Sequence, residues 1–282
     1  MTYQGIAPAK INLSLDILGR RIDGYHLLRS VMQTVSLCDV VEVRLAAKTT
    51  VSCNNAALPC DESNLAWRAW RLMQEEFALD AGVEIHLDKQ IPLGGGLAGG
   101  STNAAQVLLA VDELFELHLS AEKLRSLALC LGADVPFCLV GGTALAAGVG
   151  EELTPLTSCA ELRLVLVNPG FMVPTPAVYH QYDVMNLPPI NTTDAVVAAI
   201  EQGNPFAVRD AVGNALEAPA FALYPQLAAI KAELAGLGLA ALLCGSGATV
   251  MGIARDKKQA ALAAAALDGK FPFVQAVTTW QA

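Results

Sequence analysis

Pro92-Leu93-Gly94-Gly95-Gly96-Leu97-Ala98-Gly99-Gly100-Ser101-Thr102-Asn103-Ala104-Ala105 follows a segment that alternates like a strand, Val83 to Leu87, and opens one that recurs like a helix, Ala104 to Phe115. Five of the seven positions from 94 to 100 are glycine. Without side chains, successive backbone N–H groups converge on an anion, and the following helix adds the positive end of its dipole. A tight turn would explain one or two glycines; this density at a helix start points to a phosphate cradle. Gly94-x-Gly96-x-x-Gly99 has the dinucleotide-fingerprint spacing, but the region about 20 residues on, where that motif needs a strand-borne acid, still reads as helix. Gly95 to Gly100 followed by Ser101 has P-loop glycine spacing without the lysine before the serine. Both of these cradles fail, so the positive charge must come from elsewhere in the chain.

The nearest source lies near the start. Ile11-Asn12-Leu13-Ser14-Leu15-Asp16-Ile17 alternates with the period of a half-buried strand, and its polar face carries Lys10, Asn12, Ser14 and Asp16. An isolated lysine is usually a surface lysine; one that shares a strand face with Asn12 is a candidate to meet the phosphates. Leu27 to Val35 and Val40 to Leu45 read as further strands, and a helix begins near Ser63, with Ser63 or Asp61 as N-cap. Ser120 caps a second helix to about Cys130. Strands are expected at 143–147, 162–167, 240–244, 250–254 and 274–278. Helices are expected at 174–182, 193–200, 205–212, 225–234 and 257–266. The polar stretch Glu151 to Ser158 is the best boundary, giving domains 1–158 and 159–282. Strands and helices mix without regular βαβ alternation, which favours an α+β, two-lobed architecture over a doubly wound sheet.

Composition narrows the function. A chain of 282 residues, 54% hydrophobic and 16% charged, buries a sizeable core and is not disordered. Its net charge of −9 argues against a nucleic-acid or anionic-membrane binder. Seven cysteines without a CxxC read as buried thiols in a reducing compartment, and the N-terminus lacks a signal-peptide pattern, so a cytoplasmic location is expected. The charge-free runs 91–111 and 235–254 approach membrane-spanning length, but their glycines beside Ser, Thr or Asn make a lipid-facing helix improbable.

Two further segments carry chemistry. Asp134, in Gly132-Ala133-Asp134-Val135-Pro136-Phe137, reads either as an N-cap or as a general base orienting an acceptor hydroxyl. Asp23-Gly24-Tyr25-His26 reads either as a hairpin turn or as a base-recognition element, with Tyr25 stacking and His26 offering a hydrogen-bonding edge.

PAKINL at 8–13, DGYH at 23–26, PLGGGLAGGSTNAA at 92–105, ADVPF at 133–137, GVGEELTPL at 148–156 and CGSGATV at 244–250 together resemble the GHMP small-molecule kinases. The match runs in order over nearly the whole chain. It implies mostly antiparallel sheets, an active-site cleft between two lobes and ATP-dependent phosphorylation of a hydroxyl on a cytidine-diphosphate-linked methylerythritol, with Mg²⁺ as the ATP counterion. Lys10 and Asp134 would form the catalytic pair. Gly94, Gly95, Gly96, Gly99, Gly100, Ser101 and Thr102 would wrap the ATP phosphates, with Asn64 near the adenine. Tyr25 and Tyr179 would sandwich the cytosine, His26 would read its edge, and Asn12 and Thr175 would hold the acceptor. Gly245, Ser246 and Gly247 would form a second glycine turn closing the site. No metal ligand is assigned, because neither Ser101 nor any acid has metal-cluster spacing. Oligomeric state stays open, since alanine-rich helices pack equally well within a chain or between chains.

The chain departs from the family at Ala98, where glycine is common, at Thr102 and Cys244, where serine is frequent, and at Ala215, which follows Asn214 where Asp is usual. Other readings are a homoserine or mevalonate kinase of the same family, against which the planar rings of Tyr25, His26 and Tyr179 speak, a silent nucleotide-binding protein, and a dehydrogenase.

Overall fold

The computed structural model describes residues 1–157 and 159–280; Ser158, at the expected domain boundary, and Gln281 and Ala282 lie outside the described residues. The chain opens with two long strands, β1 (Thr2–Arg20) and β2 (His26–Ala46). The two strands expected between Leu27 and Leu45 are thus one. Gly24, at φ +92°, makes the turn between them, with Arg21 N donating to Tyr25 O at 2.7 Å. Two compact units, each discontinuous in sequence, share these strands: Met1–Ala9, Leu37–Leu93 and Ala98–Val140 form one, and Lys10–Ser36, Gly94–Leu97 and Gly141–Ala282 the other.

In the first unit β4 (Gly82–Asp88) lies between β3 (Thr50–Cys53), to which it is parallel, and the second half of β2, to which it is antiparallel. Ile85 pairs with Val51 on one side and Val43 on the other. The alternation read from the sequence holds: Val83, Ile85 and Leu87 are buried while His86 is exposed. Four helices cover this sheet segment: α1 (Leu65–Phe77), α2 (Gly99–Leu114), α3 (Ala121–Leu131) and α4 (Val135–Val140). Trp70, Met73, Val107, Leu108, Val111 and Leu127 pack with the buried strand residues, each large apolar side chain contributing about 1.5–3 kcal/mol. Ser120 caps α3 as expected, accepting from Lys123 N at 3.1 Å. The cap of α1 is Asn64, one residue beyond the expected Ser63 and three beyond Asp61; its Oδ1 accepts from Ala66 N at 2.9 Å. Asp61 instead accepts from Ser63 N at 2.9 Å and Oγ at 2.6 Å, a local turn that spends both predicted caps on each other.

In the second unit β5 (Thr143–Ala147) and β6 (Glu152–Pro155) form a hairpin on the first half of β2. A separate antiparallel sheet has the order β11-β7-β10-β9, with β7 Arg163–Asn168, β9 Ala240–Leu243, β10 Val250–Ala254 and β11 Phe273–Thr278. A two-residue β8 (Gly213–Asn214) runs parallel to β1. The helices are α5 (Thr175–Met185), α6 (Thr193–Glu201), α7 (Pro205–Ala211), α8 (Glu217–Leu223), α9 (Pro225–Gly236) and α10 (Lys257–Leu267). Leu15, Ile17, Val165, Val167, Leu227, Leu243 and Val250 share their core. Among the described residues no helix is long and apolar enough to cross a membrane. The 91–111 run contains the glycine loop and the start of α2, and the 235–254 run contains the end of α9 and two strands.

The cysteines correct one expectation. Only Cys159 and Cys244 are buried, whereas Cys60 and Cys130 are exposed. Burial pushes the Cys244 thiol up to about 12, against the opposing pull of the Lys10 ammonium, and the Cys159 and Cys38 thiols up to about 11. The folded state therefore holds these protons above the ordinary thiol value of 9.0, so stability is full below that pH and falls as pH rises toward 12. Urea unfolding followed from neutral to alkaline pH should show this fall, and Cys244→Ala should make it shallower.

Candidate active site

The glycine loop and the second glycine turn meet backbone to backbone. Gly96 adopts φ +76°, and a Cβ there would lie 2.2 Å from Cys244 O and 3.0 Å from Gly247 O. Only glycine allows that approach. Thr249 N donates to Gly95 O at 3.1 Å, while Cys244 N and Thr249 O close the turn that contains Gly245 and Gly247, both at positive φ. Gly94, at φ +59°, faces Met172. Asn214 holds this turn from behind: its Nδ2 donates to Leu243 O at 2.9 Å and Gly245 O at 2.7 Å, and its Oδ1 accepts from Leu216 N at 2.9 Å. Asn214 was not an expected site residue, although its segment stood out for lacking the usual Asp.

Lys10 is fastened to the same loop. Its backbone N donates to Leu97 O at 3.1 Å, and its Nζ donates to Asn12 Oδ1 at 3.0 Å. Lys10 is 5% exposed and Asn12 2%, so both lie inside the protein and not on a solvated strand face. Thr175, at the start of α5, meets Ser246 of the second glycine turn, with 2.8 Å between their hydroxyl oxygens.

Two of the three expected base-recognition residues, His26 and Tyr179, belong to a cluster of rings. His26 stacks on Tyr179, centroids 4.8 Å apart and planes 27° apart, and meets the edge of Tyr182. Its Nε2 lies 2.7 Å from Asp183 Oδ1, and Arg20 pairs with the other carboxylate oxygen at 3.2 Å. Since a carboxylate only accepts, Nε2 carries the proton. Tyr25, 64% exposed, stands in the β1–β2 turn, where its N donates to Asp23 Oδ1 at 3.2 Å. The ring stacked on Tyr179 in this structure is therefore that of His26. Asp183 and Tyr182 had escaped the sequence reading because a helix-borne acid and a second tyrosine carry no motif of their own.

The other unit holds Asn64, Gly99, Gly100, Ser101, Thr102 and Asp134. Ala98 is the N-cap of α2 at φ +58°, a conformation glycine adopts freely and alanine does not, and it offers no side-chain cap. The first-turn N–H groups at Gly99, Gly100 and Ser101 lie outside the helix's own ladder, the arrangement that favours an anion. The Thr102 hydroxyl is buried without a hydrogen-bond partner, the one such side-chain atom among the described residues. Asn64 spends its amide locally, capping α1 and donating to Pro59 O at 2.7 Å. Asp134 stands at the N-cap position of α4, its backbone O accepting from Cys138 N at 3.2 Å.

Beneath this stretch lies a network the sequence did not announce. The fully buried Asp39 carboxylate accepts from Gln90 N at 2.7 Å, Ile91 N at 2.8 Å, Asn103 Nδ2 at 3.0 Å and Lys89 Nζ. Lys89 Nζ also donates to Asn103 Oδ1 at 2.8 Å, and it lies 3.1 Å from where a Cβ on Gly99 would stand. One acid thus ties β2 to the entry of the glycine loop and to the first turns of α2.

Residues 64–142 match the family described as GHMP kinases N terminal domain, and residues 196–272 match GHMP kinases C terminal. The chain is 42% identical over 256 residues to a 4-diphosphocytidyl-2-C-methyl-D-erythritol kinase of Syntrophomonas wolfei subsp. wolfei, with 90% of each chain covered. A crystal structure of 4-(cytidine 5'-diphospho)-2C-methyl-D-erythritol kinase superposes with a TM-score of 0.84 at 38% identity, covering 99% of this chain and 100% of the other. Homoserine kinase from Cytophaga hutchinsonii shares the fold at a TM-score of 0.76 and 19% identity, covering 99% of this chain and 94% of its own.

Removing Asp39 leaves the Lys89 ammonium buried and two loop N–H groups unmet, so Asp39→Ala should cost about 3–5 kcal/mol in denaturant unfolding. Ala98→Gly, which relieves the left-handed backbone, should raise stability by about 1 kcal/mol in the same assay.

Proposed function

The chain belongs to the GHMP kinase family, and on that premise we propose that it transfers the γ-phosphoryl group of ATP to the 2-hydroxyl of 4-diphosphocytidyl-2-C-methyl-D-erythritol, in non-mevalonate isoprenoid precursor synthesis. The observation that carries the reading is Lys10. A glycine loop without its own lysine needs an ammonium from elsewhere, and Lys10 is buried, bonded through its backbone to Leu97 of that loop and through Nζ to Asn12.

In this reading the bare backbone of Gly94, Gly95 and Gly96, with the first turn of α2 from Gly99 to Thr102, grips the triphosphate, and Asn64 lies toward the adenine. Lys10 stabilises the charge spread over the transferred phosphoryl group. The acceptor oxygen forms its bond to the γ-phosphorus as the bond to the β-bridging oxygen breaks, ADP leaves, and Asp134 takes the hydroxyl proton. Asn12 and Thr175 hold the acceptor. Tyr25, Tyr179 and His26 take the cytosine, the rings setting this substrate apart from homoserine or mevalonate.

An unspent Thr102 hydroxyl and unladdered N–H groups suit a phosphate with its counterion. Mg²⁺ would neutralise charge on the ATP oxygens; since no group of three or more His, Cys, Asp or Glu gathers among the described residues, the phosphates themselves would supply most of its ligands. Domains 1–158 and 159–282, with the two matched family segments on either side of that division, and a cytoplasmic location complete the proposal.

Lys10→Ala and Asp134→Asn should each lower kcat by about 10²–10⁴ while keeping the folded-state circular dichroism. Phosphate transfer from ATP measured against cytidylyl, homoserine and mevalonate acceptors should proceed on the cytidylyl substrate alone. Turnover of homoserine or mevalonate at a comparable rate would overturn the substrate assignment.

A further inference from the structure

We propose that Ser30 is a positioning residue for the Lys10 ammonium, acting through Asn12. The inference rests on the reading of Lys10 as the ammonium that meets the phosphoryl group. Ser30 lies on β2 directly across from the polar face of β1 and is fully buried. Its hydroxyl has one proton. That proton goes to the Ser14 carbonyl, 2.5 Å away, since two oxygens at that distance repel unless one donates. The hydroxyl can therefore only accept from Asn12, 2.7 Å away, and this fixes Asn12 Nδ2 toward Ser30. The other end of the amide, Oδ1, must then face Lys10 Nζ at 3.0 Å.

The backbone carbonyl of Ser14 thus sets the orientation of Ser30, Ser30 sets the orientation of the Asn12 amide, and the amide presents an acceptor, not a donor, to the ammonium. Reversed, the amide would point its NH₂ group at a like-signed partner. The support for Ser30 is itself rigid. Ser14 Oγ accepts from Val31 N at 2.9 Å and lies 3.0 Å from Thr193 Oγ1, which also meets Arg29 O at 3.2 Å, and the Asp16 carboxylate accepts from Thr193 N at 2.9 Å and from Thr192 N at 3.1 Å. Asn12, Ser14 and Asp16 are each held by a neighbour on β2 or at the start of α6. A serine in the middle of an apolar strand carries no motif, so nothing in the sequence marks it.

The test compares Ser30→Ala, Ser30→Cys and Ser30→Thr with the unmodified enzyme in an ATP-dependent assay on the cytidylyl substrate. Ser30→Ala frees the amide to turn, so kcat should fall about tenfold, the scale of one hydrogen bond to a charged group. The KM for ATP should stay within about twofold, because neither Ser30 nor Asn12 is placed against ATP, whereas the KM for the acceptor should rise with the freed Asn12 amide. Ser30→Thr keeps the hydroxyl on a β-branched residue suited to a strand and should restore most of the rate; Ser30→Cys, a weak donor and acceptor, should fall between. Unchanged kcat in Ser30→Ala, or an equal loss in Ser30→Ala and Ser30→Thr, would overturn the proposal. Lys10→Ala separates the two levels: if it keeps full turnover, the reading of Lys10 itself fails, whereas loss in Lys10→Ala with full activity in Ser30→Ala removes only the role given to Ser30.

Discussion

A strand buried on both faces must find a partner for every polar atom it carries, and β1 from Lys10 to Asp16 is such a strand. An unmet amide or hydroxyl in that position would cost several kcal/mol, and an unmet ammonium or carboxylate more. The chain meets the cost by making the face a continuous hydrogen-bonded series, from Lys10 through Asn12 and Ser30 to Ser14, with Thr193 and Asp16 at its far end. Satisfaction and preorganisation are then the same thing. Asn12 is fixed because Ser30 has a single way to pair with it, and the series ends at the Lys10 ammonium.

The glycine loop is held by a different kind of constraint. Gly96 can approach Cys244 and Gly247 only because it lacks a Cβ, so the loop and the second glycine turn lock through main chain. In the other unit Asp39 acts as the anchor, gathering the loop entry at Gln90 and Ile91 together with Asn103 of α2. An acid that accepts three hydrogen bonds from residues 89–91 and a fourth from Asn103 ties the start of α2 to the loop entry without occupying it. Ala98 is the strained point in this arrangement, a left-handed residue with a side chain.

Much of this was legible because local patterns carry it. The alternation at Val83, Ile85 and Leu87, the Ser120 cap and the helical spacing of α1 follow from burial of one face, which leaves a period in the sequence. Elements without such a period escaped. Strand β6 is largely exposed and lies in the polar stretch of the expected boundary; β8 is two residues long; α8 carries Pro219 inside its first turn, which reads against a helix. The cap of α1 moved to Asn64 because Asp61 and Ser63, equally good caps in isolation, bond to each other.

Sequence alone determined the family and singled out the glycine loop and a lysine on the first strand, because these rest on residue type and spacing. Only the tertiary structure decided that the polar face of β1 is buried, that Ser30 meets Asn12, that Asp39 gathers the entry of the glycine loop, that Asn214 holds the second glycine turn, and that His26 rests on Tyr179 beside Asp183. Those facts depend on which distant residue stands opposite each polar atom, and a partner 16, 50 or more positions away leaves no period or motif behind.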